Sequence, residues 1–347
     1  MRALAALAAP ARLLCVLKAN AYGHDASLVA PALDEMDEVA MLGVASVDEG
    51  YALRGLGIEK PILLLSAMLP EEARTALRAR LTPTIWTREL GLALQQAAEK
   101  EGTRAPFHFK IDTGMGRLGA LWPQAGAALR SLRDLDRLDL GGVYTHLACA
   151  DEDPDELTAQ QLDRFRAFLG RAQLPLSVQV HAANSAALLR YPDARFDMVR
   201  PGIALYGADP WPRAGAELRP VMTWKARVTN IKAVPPGTTV SYGATWRAPR
   251  PTRLATISVG YADGFRRCLG GRAQVRIGEA DCPVVGRVTM DQILVDVGDS
   301  LVHLGDEATL LGRAPTAHQM AQWCDTISYE VLCGVSSRVP RIAVSSG

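Results

Sequence analysis

The chain has 347 residues, with 38 basic and 37 acidic side chains and a net charge of +1, so nothing in its charge points to nucleic acid. Hydrophobic residues make up 48%, which supports large cores and excludes a disordered chain. No apolar run approaches a membrane span, and the default partner is a small molecule.

In chain order, the Ala/Leu-rich start (1–10) superficially resembles a signal peptide. The apolar run that follows leads straight into Lys18-Ala19-Asn20-Ala21-Tyr22-Gly23-His24, which cleavage would endanger. A cytoplasmic location is therefore expected. Lys18 stands at the end of an apolar run, where desolvation lowers a lysine pKa and favours Schiff-base chemistry; capping a strand is the plain alternative.

Short apolar runs recur at 12–17, 38–45, 61–66, 81–87, 107–112, 141–147, 178–183 and 198–206. Between them lie stretches such as 70–80, 89–101, 122–135 and 156–172, whose apolar residues recur at helical spacing. Alternating strands and helices imply parallel strands with helical crossovers. Eight of them predict an α/β fold, a closed (β/α)8 TIM-type barrel, with an open doubly wound sheet as the alternative. Pro210, Pro212 and Gly215 mark a linker. Beyond it, runs at 221–234, 254–259, 273–277, 293–297 and 308–311 read as strands, and 316–324 as a helix, so a mainly β domain follows. The expected domains are 1–210 and 211–347.

Six cysteines (Cys15, Cys149, Cys268, Cys282, Cys324 and Cys333) are scattered, with no metal-ligand spacing, and read as reduced; no metal is expected. His108, His181, His303 and His318 read as serving packing, solvation or local hydrogen bonds, and Asp151-Glu152-Asp153 as a solvated loop.

Functional side chains of a barrel gather at the carboxyl ends of its strands. Those ends carry Lys18, Lys110 through Arg117, His146, Asn184-Ser185 and Arg200-Pro201-Gly202-Ile203. The set holds a Schiff-base lysine, two arginines, a histidine, and a Ser plus Gly-Ile pair suited to phosphate.

These strings, with Gly260-Tyr261-Ala262-Asp263-Gly264, Val285-Gly286-Arg287-Val288-Thr289-Met290-Asp291-Gln292, Tyr329-Glu330 and Arg338-Val339-Pro340-Arg341, resemble the alanine racemases. The resemblance follows the family's order over nearly the whole chain. It implies pyridoxal 5′-phosphate as cofactor, racemisation of alanine by two bases, a role in supplying D-alanine for peptidoglycan, and a homodimer with shared sites. On that resemblance Lys18 holds the cofactor as an internal aldimine and acts on D-alanine, while Tyr261 acts on L-alanine. The phenolate form of Tyr261 needs support, for which His146 and Arg200 offer a hydrogen-bonded chain.

Arg200 corresponds to the residue facing the pyridine nitrogen, and Arg117 to the one contacting the substrate carboxylate. Tyr22, Ser185, Gly202, Ile203 and Tyr329 correspond to phosphate contacts, with Asn184 beside them, and Met290 to a substrate contact. Lys110 corresponds to a lysine that can be carbamylated, an ordinary ion-paired lysine being the alternative. Tyr261, Met290 and Tyr329 are expected to face the other subunit's Lys18.

Two departures stand out. Only 17 residues precede Lys18, so a strand of the β domain is expected to be missing and an edge exposed. Asp25 occupies a usual glycine position. Competing readings are a broader-specificity or serine racemase, a decarboxylase of the same fold, and a non-catalytic pyridoxal-phosphate carrier. The second-domain motifs favour the racemase over the decarboxylase, and the 140 residues after Gly207 count against the carrier.

Overall fold

The computed structural model describes residues 1–211 and 217–344; Pro212 and Gly215 of the expected linker lie outside them. The chain divides into two compact units. The first comprises Met1–Ala21, Asp25–Leu205 and a short stretch from Asp209. The second takes the chain from Arg219 onward, together with Tyr22–His24 and Tyr206–Ala208.

In the first unit nine strands appear in chain order: β1 (Arg12–Val16), β2 (Val39–Val44), β3 (Ile62–Leu64), β4 (Leu81–Ile85), β5 (Ala105–Asp112), β6 (Ala120–Leu121), β7 (Leu138–Tyr144), β8 (Gln179–His181) and β9 (Met198–Val199). The order β4-β3-β2-β1-β9-β8-β7-β5 closes through a β4–β5 pairing, with β6 added beside β5. These neighbours pair in parallel. The result is the eight-stranded barrel expected from the sequence, not an open sheet. Helices separate most of the strands, and Arg88–Glu101 shows why they form. Thr87 caps its start through Leu90 N–H, Leu90, Leu94, Ala97 and Ala98 make the buried face, and Gly102 ends it at φ 65°,. The last apolar run yields only the two residues of β9, and a 3-10 turn, Ile203–Tyr206, follows.

The second unit contains β10 (Trp224–Val234), β11 (Thr239–Val240), β12 (Trp246–Arg247), β13 (Thr252–Ile257), β14 (Gln274–Ile277), β15 (Ala280–Val285), β16 (Ile293–Asp296) and β17 (Glu307–Leu311). Side chains alternate inward and outward, as with buried Ile293 and Val295 on β16,. Six strands, β10-β13-β16-β15-β14-β17, close into an antiparallel barrel. The exposed edge expected of this domain is not found among the described residues, because β10 pairs with β17 and closes the barrel. The sequence reading missed β15, where Pro283 argues against a strand,, and the short helix Ser328–Cys333.

The thiols also depart from expectation. Cys268 and Cys324, 56 residues apart, form a disulfide with Cα atoms 5.3 Å apart. No local pattern links positions so distant in sequence; the fold brings them together. Among the described residues no helix is long and apolar enough to cross a membrane.

Candidate active site

The strand ends of the first unit collect four cations. Arg200, 3% exposed, is buried within a cage of acceptors. Its Nη1 meets His181 Nδ1 at 2.8 Å, and its Nη2 meets Thr145 O and Ala182 O at 2.8 Å and His146 Nδ1 at 3.2 Å. His181 continues the chain to His108, Nε2 to Nδ1, at 3.0 Å. His181 and His108 thus support the site through hydrogen bonds, one of the roles expected for them, though their link to Arg200 was not expected. No motif marked them; only the barrel interior joins residues 73 apart. Burial first, then the Arg200 charge, pushes His108 down to about 3 and His146 and His181 well below the usual histidine range. All three rings are therefore neutral acceptors or donors at pH 7.

Lys110, 4% exposed, sits over the Tyr144 ring at 5.2 Å. Burial, then Arg200 and Arg117, push its pKa down to about 7, with Lys18 adding to the effect and Asp112 opposing it. The Arg117 loop is built by Asp112, whose carboxylate accepts from Gly114 N–H at 2.9 Å and Gly116 N–H at 3.1 Å. Gly119 (φ 120°) ends that loop so close to β5 that a Cβ would lie 2.8 Å from Asp112 N,. Lys110, Arg117 and Arg200 make no ion pair among the described residues.

Ser185 opens the helix Ser185–Arg190, and its Oγ accepts from Gly202 N–H at 2.9 Å and Ala204 N–H at 3.3 Å. Ile203 is buried between them in sequence. Asn184 is taken up as that helix's cap, accepting from Ala187 N–H at 3.0 Å, and its Nδ2 reaches Leu147 O at 3.4 Å.

Lys18 begins a turn of unusual hand. Ala19, Asn20, Ala21 and Tyr22 have φ of 54°, 52°, 55° and 53°, a left-handed run without a glycine. Each such residue costs roughly 1–2 kcal/mol, so the surroundings must hold the run in place. Ala19 N–H donates to Glu49 Oε1 at 2.7 Å, Ala21 N–H to Leu17 O at 2.8 Å, and Asn20 Oδ1 accepts from Ala26 N–H at 2.8 Å. Asp25 also takes the left-handed side (φ 72°), as its usual-glycine position predicts. Its carboxylate offsets the strain by accepting from Ser27 N–H at 3.0 Å and Ser27 Oγ at 2.7 Å, which caps the helix Ala26–Asp34,.

In the second unit, the buried Tyr22 ring lies 5.0 Å from Tyr206 and 6.1 Å from Tyr329. Burial pushes the Tyr22 phenol upward, so it stays a neutral hydroxyl. Tyr329 thus stands beside Tyr22 of its own chain, which corrects the expectation that it reaches the other subunit. Arg341 holds this corner through Gly23 O at 2.9 Å.

Tyr261 and Met290 are tied together by backbone. Tyr261 N–H donates to Thr289 O at 3.0 Å and Ala262 N–H to Met290 O at 3.1 Å. Gly260 lets them approach, since a Cβ there would lie 2.1 Å from Met290 O. Tyr261 lines a cavity of about 330 Å³ with Tyr242, Arg267, Arg287, Val288 and Thr289. Tyr242 was missed by the sequence reading. It is 71% exposed against 42% for Tyr261, and its turn is anchored by Ser241 Oγ donating to Arg287 O at 2.7 Å. The Ser241-Tyr242-Gly243 string after a strand was the available signal.

Comparisons with known proteins match this arrangement across the chain. A family described as "Alanine racemase, N-terminal domain" matches residues 1–210, and "Alanine racemase, C-terminal domain" matches 221–343. An alanine racemase of Symbiobacterium thermophilum is 45% identical over 98% of this chain and 93% of its own, and one of Carboxydothermus hydrogenoformans 44% over 97% and 94%. Among solved structures, the alanine racemase of Streptomyces lavendulae superposes with a TM-score of 0.93 at 36% identity, covering 99% of this chain and 94% of its own. That of Bartonella henselae, with covalently bound pyridoxal phosphate, gives 0.90 at 31%, covering 99% and 95%. With both family domains matched in order and relatives above 40% identity along the full length, the chain belongs to the alanine racemase family.

Proposed function

We propose that the chain interconverts L-alanine and D-alanine with pyridoxal 5′-phosphate attached at Lys18, and so supplies D-alanine for peptidoglycan. The observation that carries the reading is the cationic rim of the first barrel. Lys110, Arg117 and Arg200 lack carboxylate partners among the described residues, and Ser185 with the Gly202 and Ala204 amides forms a polar corner at a late strand end, where barrels hold phosphate. That donor set fits an anionic phosphate-bearing aldehyde. When bound, the cofactor withdraws electrons from the substrate Cα and acidifies its hydrogen.

The chain's own residues do the rest. Lys18 would hold the aldehyde group of the cofactor, and its amine would serve as the base on the D-alanine face. Ser185, Gly202 and Ile203 would hold the phosphate, with Asn184 shaping that corner through its helix cap; the family resemblance gives Tyr22 and Tyr329 the same role. Arg200, charged and caged by neutral histidines, would hold the ring-nitrogen side of the cofactor and disfavour protonation there, with His146 as its neighbour. Arg117 holds the substrate carboxylate, and Met290 contributes backbone to the substrate pocket. Lys110, with a pKa near about 7, is a nucleophilic amine at mildly alkaline pH and a carbamylation site; the carbamate would turn a surplus cation into an anion beside Arg117.

The second base is a phenol of the second-unit cavity. Tyr261 is the residue given by the sequence motif. Tyr242 shares the cavity wall with it, more exposed and on a turn anchored by Ser241. We keep the base at Tyr261, with Tyr242 as its neighbour in the pocket wall. Exposed Tyr242, Tyr261 and Met290 reach the Lys18 of a second copy, which makes a homodimer the working assembly. A cytoplasmic location belongs to the same proposal. The free thiols of Cys15, Cys149, Cys282 and Cys333 fit a reducing compartment, and the Cys268–Cys324 bridge opposes it,.

Solvent exchange of the α-hydrogen tests the assignment. Tyr261→Phe retains exchange from D-alanine and loses that from L-alanine, whereas Tyr242→Phe retains both. One-sided loss in Tyr242→Phe alone transfers the role to Tyr242. Equal exchange from both enantiomers in each variant removes the phenol base altogether.

A further inference from the structure

We propose that Glu49 is a positioning residue for Lys18, an inference that rests on reading Lys18 as the cofactor-binding amine. Glu49 lies in the first turn of the helix Val47–Gly55, and both of its oxygens are committed. Oε1 accepts from Ala19 N–H at 2.7 Å and Oε2 from Ala45 N–H at 2.7 Å. Ala45 follows the last residue of β2 and Ala19 follows Lys18, so one carboxylate pins the outgoing chain of two neighbouring strands at the rim where the amine must act.

The left-handed run is what makes this pin necessary. Reversing the hand at Ala19 takes its amide out of the strand ladder, and Glu49 supplies the acceptor. A carboxylate is the strongest acceptor a side chain can offer. The nucleophile hangs on a four-carbon stem, so its reach is set by where its Cα is held. A shift of about 1 Å in a reacting group can cost on the order of a hundredfold in rate. The plain alternative is that Glu49, like Asp48 in the same turn, only complements the helix dipole.

The experiment uses the full chain, apo and reconstituted with pyridoxal phosphate, as wild type, Glu49→Gln, Glu49→Ala and Asp48→Asn. Glu49→Gln keeps one oxygen but turns an NH2 toward an amide donor. It lowers kcat about tenfold while KM for alanine stays within about threefold, and the visible absorbance of the lysine-bound cofactor persists. In the apo protein, hydrogen exchange over the peptide containing Ala19 and that containing Ala45 speeds up about tenfold, and the helix Arg88–Glu101 is unaffected. Glu49→Ala goes further in the same direction. Asp48→Asn leaves every readout at the wild-type level.

Wild-type kcat and exchange in Glu49→Gln would overturn the proposal, as would an equal effect of Asp48→Asn. If Glu49→Ala fails to fold, Glu49→Gln alone decides. If no form, wild type included, makes D-alanine, the racemase reading fails, and apo exchange at Ala19 still tests the clamp.

Discussion

The two barrels put their functional side chains in opposite physical settings. In the parallel barrel of the first unit, all strands run the same way, so their carboxyl ends converge and bury Lys110, Arg200, His108 and His181. Their charges and protonation states are fixed by desolvation before any substrate arrives. In the antiparallel barrel of the second unit, neighbouring strands alternate direction and function falls to the turns. Tyr242, Tyr261 and Met290 there are 71%, 42% and 53% exposed. Burial makes the first set costly and preorganised; exposure makes the second available to a partner.

The largest expected effect breaks the first setting at its reactive end. Lys18→Ala lowers racemisation by about a thousandfold or more and removes the visible absorbance of covalently held cofactor. Unchanged absorbance would show that another amine holds it.

Next in size is the closed loop of the second unit. Replacing Cys268 by Ser, and so opening a bridge across 56 residues, lowers stability by up to about 4 kcal/mol on the chain-entropy account. Denaturant titration with and without a dithiol reads this, and no difference between the two in the wild type means the bridge does not form.

Arg200→Ala comes third. It strips the acceptors Thr145 O, Ala182 O and His181 Nδ1 of their donor, at about 3 kcal/mol, again seen in denaturant midpoints. A cost below about 0.5 kcal/mol, the range of ordinary surface changes, would mean water replaces the guanidinium and the buried setting is weaker than described.

The smallest effect is a pH slope. Lys110 titrates near 10.5 when unfolded and at about 7 when folded, so between those values the unfolded chain binds more protons and stability rises with pH. One group contributes at most about 1.4 kcal/mol per pH unit. Lys110→Met flattens that rise. Added bicarbonate at alkaline pH should also give the wild type a mass increase of one carbon dioxide at Lys110, absent in the variant.

Sequence by itself determined the order of the elements and most of the chemistry. Short continuous apolar runs read as strands buried on both faces and helical spacing as their crossovers, and Lys18, Arg117, His146, Ser185 and Arg200 stand at or just after the ends of those runs. Tertiary structure decided what depends on residues far apart in the chain. It closed the second barrel without an edge, joined Cys268 to Cys324, lined His108 and His181 up behind Arg200, brought Tyr242 into the cavity of Tyr261, and set Glu49 against a left-handed turn. The physical reason is range. Periodicity and turn chemistry act over a few residues, whereas a buried hydrogen bond or a strained turn is stable only when distant segments supply its partners.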